Sequence, residues 1–169
     1  MIDCAGDAIF IVNLADNRIV DCNRQASLAL GYSREELLQL LTTDIEVELS
    51  ADEVQAVHAN ISFGVTSNVQ GMHRRKNGTV FPVDIRLALL GPPGSNLSIA
   101  IVRDISEMRK AEEALLESER AFHNLFNNSE IAMFRTRIDG SEMLNVNEKF
   151  LELVGRTRDE VIGKPSVIF

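Results

Sequence analysis

The sequence is poor in the residues that build disulfides and metal sites. It has two cysteines, Cys4 and Cys22, without a spacing typical of metal ligands, and three histidines that lie far apart. No basic segment followed by an apolar one stands at its start. These absences argue against a disulfide framework and a metal centre, and they favour a reducing compartment. We therefore expect a cytoplasmic protein.

Long apolar runs and clustered cations are absent as well. No apolar run approaches the roughly 20 residues that span a bilayer, so we expect no membrane contact in this segment. The net charge of -8 argues against nucleic acid as a partner, because phosphate binding needs clustered Lys and Arg. The one basic run, from His73 to Lys76, is predicted to be a solvated hairpin tip.

The sequence also contains no recognisable catalytic motif. We find no nucleophile beside a base, no metal cluster and no phosphate-binding loop. We therefore expect that this segment is not itself an enzyme.

What is present is a hairpin that leads into a charged helix. Asn77-Gly78 predicts a two-residue type I′ turn between its strands. After the turn, alternate residues are apolar, which predicts one buried face: Phe81, Val83, Ile85, Leu87 and Leu89. The chain turns again at 91–96 and returns as a third strand over 97–103.

From Asp104 onward the apolar period changes from two to about 3.6, which indicates a helix. We expect Asp104 or Ser106 to cap it and the helix to continue to about Asn127. Spacings of three and four predict a heptad seam along it, with its main positions at Met108, Leu115, Phe122 and Leu125. Such a seam favours a homodimer, and the alternative is a single amphipathic helix lying on the domain.

The first half of the chain reads as two strands and several short helices. The strands flank a turn at Asp16-Asn17, and a helix capped by Asn23 ends at Gly31. Capping boxes at Ser33 to Glu36 and Ser50 to Glu53 open further helices. A strand over 65–74 then completes an α+β fold, a five-stranded antiparallel sheet with helices on one face.

We expect the inner face of the sheet to pack on the helix that contains Val57 and Ile61. A ligand pocket is predicted between them, oriented by the polar side chains of His58 and Asn68, with these candidate lining residues: Val57, His58, Ile61, Asn68 and Phe81. A solid core is the alternative, filled by Val57, Ile61, Phe63, Val69, Phe81, Ile85 and Ile101.

An internal repeat follows the helix. A shift of 124 residues superimposes Ala8, Phe10, Asn23, Gly31, Arg34 and Glu36 on Ala132, Phe134, Asn147, Gly155, Arg158 and Glu160 without a gap. We expect a second copy over 129–169 that lacks the long helix and three later strands. Because a lone hairpin is marginal in water, this copy would lean on another element or be the cut end of a longer chain.

These motifs resemble the PAS family of sensory domains over Asp7 to Ser106, and in part over 129–169. The resemblance rests on Gly31 to Leu37, on Arg75 to Val83, and on Arg103-Asp104-Ile105-Ser106, which is similar to the Asp-Ile-Thr signature ending such domains. It implies a PAS domain over 1–105, a signalling helix over 106–128 and a truncated second PAS copy over 129–169.

The resemblance implies a module that binds a small ligand, or relays a conformational signal, through Asp104, Ile105 and Ser106 to an output domain. Tandem copies are typical of sensor histidine kinases and diguanylate cyclases. The alternative is an element that binds no ligand and only dimerises its parent protein.

The resemblance also bears on cofactors, although no cofactor is specified by the sequence. Flavin-binding relatives place a reactive Cys where this chain has Thr42, so a flavin-thiol site is not expected. Haem-binding relatives use a His near the positions of Asp52 and Glu53. His58 lies more than a turn later, and we expect it to be a partly buried packing or hydrogen-bonding residue.

Overall fold

A computed structural model describes residues 6–61, 64–92 and 94–169. The chain forms two compact units, and the boundary between Arg109 and Lys110 falls within one helix. Cys4 and the predicted core residue Phe63 lie outside the described residues. The two units are considered separately below.

The first unit contains one antiparallel sheet and short helices. Its strands are β1 (Ala8–Asn13), β2 (Arg18–Cys22), β3 (Ser67–Arg74), β4 (Val80–Leu90) and β5 (Leu97–Asp104). Its helices are α1 (Arg24–Leu30), α2 (Arg34–Leu37), α3 (Thr42–Ile45) and α4 (Ala51–Ala59), and α5 (Ser106–Asn127) follows. The strand order β2-β1-β5-β4-β3 places the last strand beside the first, and the predicted five-stranded fold is confirmed.

Local capping sets the short helices of this unit. Asn23 accepts a hydrogen bond from the backbone of Ala26 at the start of α1, and Gly31 ends that helix with a φ of 76°. Complete capping boxes open α2 at Ser33 and α4 at Ser50, as predicted. Because α1, α2 and α4 each have their own start signal, these three helices could be recognised without knowledge of the core, whereas α3 begins after Leu41 and was not predicted.

The inner face of β4 agrees with the predicted alternation. Phe81, Val83 and Leu87 are buried, whereas Val80 and Leu90 are exposed. Ile85 is half-buried and packs against the same core. The sheet therefore has the predicted phase along its longest strand.

Ile101 of β5 does not face the core, although the sequence placed it there. Ala100 and Val102 are buried in the core, while Ile101 pairs with Ile9 on the other face of the sheet. The prediction for Ile101 was wrong because apolar residues occur in both phases of β5, with Leu97, Ile99 and Ile101 in one and Ala100 and Val102 in the other. Pairing of Ala100 with Phe10 decides the orientation.

The tip of the β3–β4 hairpin is not the predicted type I′ turn. Among the described residues, Asn17 is the one non-glycine with a positive φ, so Asn77 lacks the conformation that this turn demands. Arg75 N–H donates to Thr79 O, and Gly78, with a φ of 89°, closes a three-residue loop over 76–78. The backbone of Lys76 also donates to Leu30 O, which docks the tip on the end of α1.

The second unit is smaller and repeats the beginning of the first. Strands β6 (Phe134–Thr136) and β7 (Met143–Val146) form a hairpin, followed by α6 (Glu148–Val154), α7 (Arg158–Val161) and a 3₁₀ turn at Ser166–Ile168. Its buried core consists of Met143, Val146, Phe150, Leu151 and Val161.

The repeat extends to individual hydrogen bonds. Asn23 Oδ1 accepts from Ile9 N–H at 3.0 Å, and Asn147 Oδ1 accepts from Met133 N–H at 2.8 Å. Both Asn side chains are fully buried and both cap the following helix. The shift of 124 residues thus relates two copies of one structural unit.

The two faces of β4 provide a test of the register. We expect Leu87→Ala to lower the free energy of unfolding by about 2–5 kcal/mol, because it opens a cavity in the core. Leu90→Ala, on the exposed face of the same strand, should cost about 0.5 kcal/mol or less. Urea denaturation of the full chain measures both, and a larger loss at Leu90 would mean that the register is shifted by one residue.

Candidate functional site

One short segment connects the two edges of the sheet in the first unit. Leu41 forms a β-bridge with Arg18 on β2, and Glu46 forms one with His73 on β3. A segment of this length extends at most about 20 Å, so the sheet must curve until its edge strands come within that reach. Helix α3 therefore crosses the concave face of the sheet.

A cavity of about 70 Å³ lies on this concave face. Its apolar lining comes from the sheet and from the segment 45–57: Phe10, Val12, Ile19, Val69, Ile85, Leu87, Ala100, Val102, Ile45, Leu49, Val54 and Val57. Four polar side chains also line it: Thr42, Glu46, His58 and His73. The cavity lies between α4 and the central strands, the region in which the sequence predicted a pocket.

Glu46 is the charged group of this site. Its side chain is 5% exposed, and its Oε1 accepts hydrogen bonds from the backbone of Glu48 at 2.8 Å, Leu49 at 3.2 Å and Met72 at 3.3 Å. Three backbone N–H groups thus converge on one oxygen of this side chain. Its Oε2 is buried without a hydrogen-bond partner among the described residues.

Gly71 leaves the space that this carboxylate occupies. A Cβ at position 71 would collide with Oε2 of Glu46 and would lie 3.1 Å from its Cδ. The glycine is therefore required by the close approach of the carboxylate to β3, at a position where its backbone is otherwise an ordinary strand.

His73 lies beside Glu46 at the buried end of β3. Its Nε2 is 3.7 Å from Glu46 Oε2, and its ring meets the ring of Phe81 edge-on at 6.1 Å. Burial lowers the pKa of His73 to about 4, although the Glu46 charge opposes this shift. The imidazole is therefore neutral near pH 7.

The position of His73 corrects a sequence prediction. His73 was assigned to a solvated tip, but the strand continues through Arg74 and turns the His73 side chain inward, where it is 7% exposed. Its Nδ1 has no hydrogen-bond partner among the described residues.

His58 contributes a second neutral imidazole to the lining. Its Nδ1 is 2.9 Å from Asn17 Oδ1, and burial lowers the pKa of His58. This contact joins α4 to the β1–β2 turn. The prediction that His58 is a partly buried hydrogen-bonding residue is confirmed.

The other predicted pocket residues separate into three groups. Val57 lines the cavity, whereas Ile61 and Phe81 belong to the same buried core without lining this cavity. Asn68 is exposed, so the prediction that its side chain points inward was wrong. The alternation along β3 places Val69, Gly71 and His73 inward. This alternation is hard to recognise in the sequence, because Gly71 has no side chain and so breaks the pattern of inward apolar residues.

Sequence analysis missed Glu46 and His73, and it considered Thr42 only as the residue in place of a reactive Cys. A signal was available for His73, because it has the same parity as Val69 in β3. No local signal was available for Glu46, since its burial depends on a bridge to a strand 27 residues later.

A second arrangement lies where β5 meets α5. Asp104 Oδ1 accepts from Ser106 N–H at 2.9 Å, and Asp104 Oδ2 lies 2.6 Å from Arg75 Nη2. Partial burial would raise the pKa of Asp104, but the hydrogen bonds from Ser106 and Arg75 outweigh it and lower that pKa. Ile105 is buried and its N–H donates to Pro82 O at 3.1 Å.

Arg75 connects this junction to the rest of the first unit. Its guanidinium lies 3.6 Å from the centre of the Phe81 ring and donates to Ala29 O in α1. Lys76 pairs with Glu36 of α2 at 2.6 Å. The basic run is therefore not the solvated tip that was predicted, because Arg75 and Lys76 fasten the hairpin to the helices.

The predicted heptad positions of α5 are exposed. Met108, Leu115, Phe122 and Leu125 have exposed fractions between 50% and 75%. Phe126, which is off this stripe, is buried in the second unit, and its carbonyl accepts from Asn147 Nδ2.

The described residues contain no group of three or more side chains placed to hold a metal ion. In the same part of the chain, every helix is too short or too polar to cross a membrane.

Comparison with known families decides the assignment. A PAS domain model matches residues 6–107, which is more than half of the chain, and another PAS domain model matches residues 120–168. The chain belongs to the PAS family. Family membership assigns it to a group of sensory and signalling domains.

Solved structures show the same fold. The PAS domain of an HTR-like protein from Haloarcula marismortui is 24% identical, with a TM-score of 0.57 over 62% of this chain and 85% of that one. A domain of a sensory box sensor histidine kinase/response regulator from Geobacter sulfurreducens is 26% identical, with a TM-score of 0.53 over 61% and 87%. A LOV protein from Rhodobacter sphaeroides is 17% identical, with a TM-score of 0.56 over 68% of each chain. No curated protein matches the chain.

The buried imidazole of this PAS domain makes its stability depend on pH. Because the pKa of His73 is about 4 in the folded state and about 6.5 in the unfolded state, the unfolded chain binds the proton first. The stability associated with neutral His73 is present above pH 6.5 and is lost as the pH falls toward 4. We expect a loss of order 3 kcal/mol.

His73→Gln should remove this part of the acid dependence, whereas His123→Gln, on the exposed surface of α5, should retain it. Burial also lowers the pKa of His58, which is common to both variants. Urea denaturation between pH 4 and 7.5 measures the difference. Identical pH profiles for wild type and His73→Gln would contradict the expected shift.

Proposed function

We propose that the first unit is a ligand-sensing PAS domain that transmits its state through α5. The observation that carries the proposal is the set of buried polar atoms in residues that line an apolar cavity: Thr42 Oγ1, Glu46 Oε2 and His73 Nδ1. Buried polar atoms are normally hydrogen-bonded, and leaving them unpaired costs free energy. A ligand that forms hydrogen bonds with these atoms would remove this cost, and the gain would contribute to its affinity.

A continuous path leads from the cavity to the helix. Ala100 and Val102 form part of the cavity wall. From them β5 continues to Asp104, and the chain then passes through Ile105 to Ser106 at the start of α5. Asp104 holds both the start of α5 and Arg75, which in turn contacts Phe81 and α1. A ligand that shifts β5 would alter these contacts, so we assign the relay to Asp104, Ile105 and Ser106.

We further propose a homodimer through α5. In this arrangement residues 1–105 sense, residues 106–128 transmit, and residues 129–169 begin a second PAS copy, with a cytoplasmic histidine kinase as the output. The likeness to a histidine kinase domain supports the choice of output, and the exposed apolar stripe supports the dimer. A relative shift of two parallel helices could then amplify a small movement in the sheet.

The exposed stripe also favours a second function, that of a ligand-free assembly element. Met108, Leu115, Phe122 and Leu125 could dimerise a parent protein whether or not the cavity binds anything. The two functions differ in whether a small molecule binds the first unit.

Ligand binding is testable on the purified chain. We expect native mass spectrometry or a small-molecule thermal screen to find a compound that stabilises the protein, by about 2.7 kcal/mol at 100 times its dissociation constant. Ala100→Leu, which fills the cavity, should abolish the stabilisation. Ala88→Leu adds the same volume to β4 outside the cavity lining and should retain it.

The ligand-sensing proposal fails if no compound stabilises the wild type. It fails equally if the cavity-filling and control variants retain the same response. Either outcome would favour the assembly element.

The dimer is testable by sedimentation. We expect a dimer at micromolar concentration, and a monomer for Leu115→Asp combined with Phe122→Asp, because charge on the seam is not tolerated. Leu116→Asp, on an exposed residue next to the seam, is the matched control and should remain dimeric. A folded wild type that stays monomeric throughout would show that α5 is only a spacer.

A further inference from the structure

We propose that the cavity binds a small cationic amphiphile, a protonated primary amine on a short aliphatic chain, with the ammonium on Oε2 of Glu46. This inference rests on the proposed ligand-sensing function and names the chemical class of its ligand. It combines the charge of Glu46, the donor and acceptor character of its neighbours, and the size of the cavity.

The charge of Glu46 is not compensated within the described residues. Its one ion-pair contact there is His73 Nε2 at 3.7 Å, and that imidazole is neutral near pH 7 because burial lowers the pKa of His73 to about 4. The three backbone donors converge on Oε1 and leave Oε2 without a hydrogen bond. A buried carboxylate with one unpaired oxygen favours a ligand that brings positive charge.

The neighbouring polar groups suit an ammonium better than other head groups. Thr42 and Glu46 lie one helical turn apart, joined by the hydrogen bond from Glu46 N–H to Thr42 O at 2.9 Å, and both side chains line the cavity. A carboxylate oxygen, a hydroxyl oxygen and a neutral imidazole can each accept a hydrogen bond, and an ammonium has three donors and no acceptor. A carboxylate ligand would instead meet the charge of Glu46.

The rest of the cavity determines the other end of the ligand. Its wall is dominated by aliphatic side chains, including Val57, Leu87 and Val102, which favour an apolar body. The volume of about 70 Å³ is roughly half of the ~150 Å³ cavity that accommodates benzene. The matching ligand has a chain of about three or four carbon atoms.

The experiment compares three molecules of nearly equal shape at pH 7.5: n-propylammonium, 1-propanol and propionate. Titration calorimetry on the full chain should give an affinity for the amine at least about tenfold higher than for the alcohol, as expected for a hydrogen bond to a charged group. Propionate should not bind. Methyl chemical shifts of Val57 and Leu87 should respond to the amine and report binding in the cavity.

Two Glu→Gln variants test the role of Glu46 in binding the amine. Glu46→Gln keeps the shape and the acceptor for the three backbone N–H groups, and it should reduce amine affinity about tenfold or more with less effect on the alcohol. Glu48→Gln, two residues away and exposed, should leave the affinity unchanged. The comparison of amine and alcohol on the wild type does not depend on the folding of either variant.

The possible results separate this inference from the function on which it rests. Equal binding of amine and alcohol, tighter binding of propionate, or an unchanged amine affinity in Glu46→Gln overturns the cationic ligand. If any neutral or anionic compound still stabilises the protein, the ligand-sensing function stands. If no compound of any class binds, both fail.

Discussion

The carboxylate of Glu46 is the group on which the closure of the first unit depends. One oxygen accepts hydrogen bonds from the backbone N–H groups of Glu48, Leu49 and Met72. A single side chain therefore orders the segment between α3 and α4 and connects it to β3. That arrangement requires Gly71, because any side chain there would collide with the carboxylate. His73 lies buried beside the carboxylate and is neutral near pH 7 because burial lowers its pKa more than the Glu46 charge raises it. Closure of the curved sheet and the polarity of its cavity therefore share one cause.

A second connection joins this closed unit to its long helix. Asp104 binds the first turn of α5 with one oxygen and Arg75 with the other, while Arg75 reaches the Phe81 ring and the end of α1. The ion pair is partly exposed, and such pairs contribute modestly to stability by themselves. The ion pair between Asp104 and Arg75 matters because it connects the hairpin, α1 and the start of α5. These three elements cannot move independently as long as the pair is formed. We propose this contact as the place where a change in the sheet reaches the helix.

The second unit shows which part of the fold is locally determined. Asn147 repeats the buried hydrogen bonds of Asn23, and Gly155 and the Thr157 capping box repeat Gly31 and the Ser33 box. This is possible in a segment of one hairpin and two short helices because every one of those bonds lies within about 20 residues of sequence. Phe134, in contrast, is exposed, whereas its counterpart Phe10 is buried in the core of the first unit, where it pairs with Ala100 of β5.

The sequence by itself determined the five strands, the starts of α1, α2, α4 and α5, the phase of β4 and the repeat, because capping residues, glycines and alternation act over a few residues. The PAS topology followed from the resemblance that these motifs carry. Only the tertiary structure decided the phase of β5 and the docked hairpin tip. Both faces of β5 carry apolar residues, so its orientation depends on pairing with β1. The site at Glu46 was beyond local prediction for the same reason. A charged residue is buried there because distant Gly71 makes room for it and the distant backbone N–H of Met72 binds it, and neither condition is visible around position 46 in the sequence.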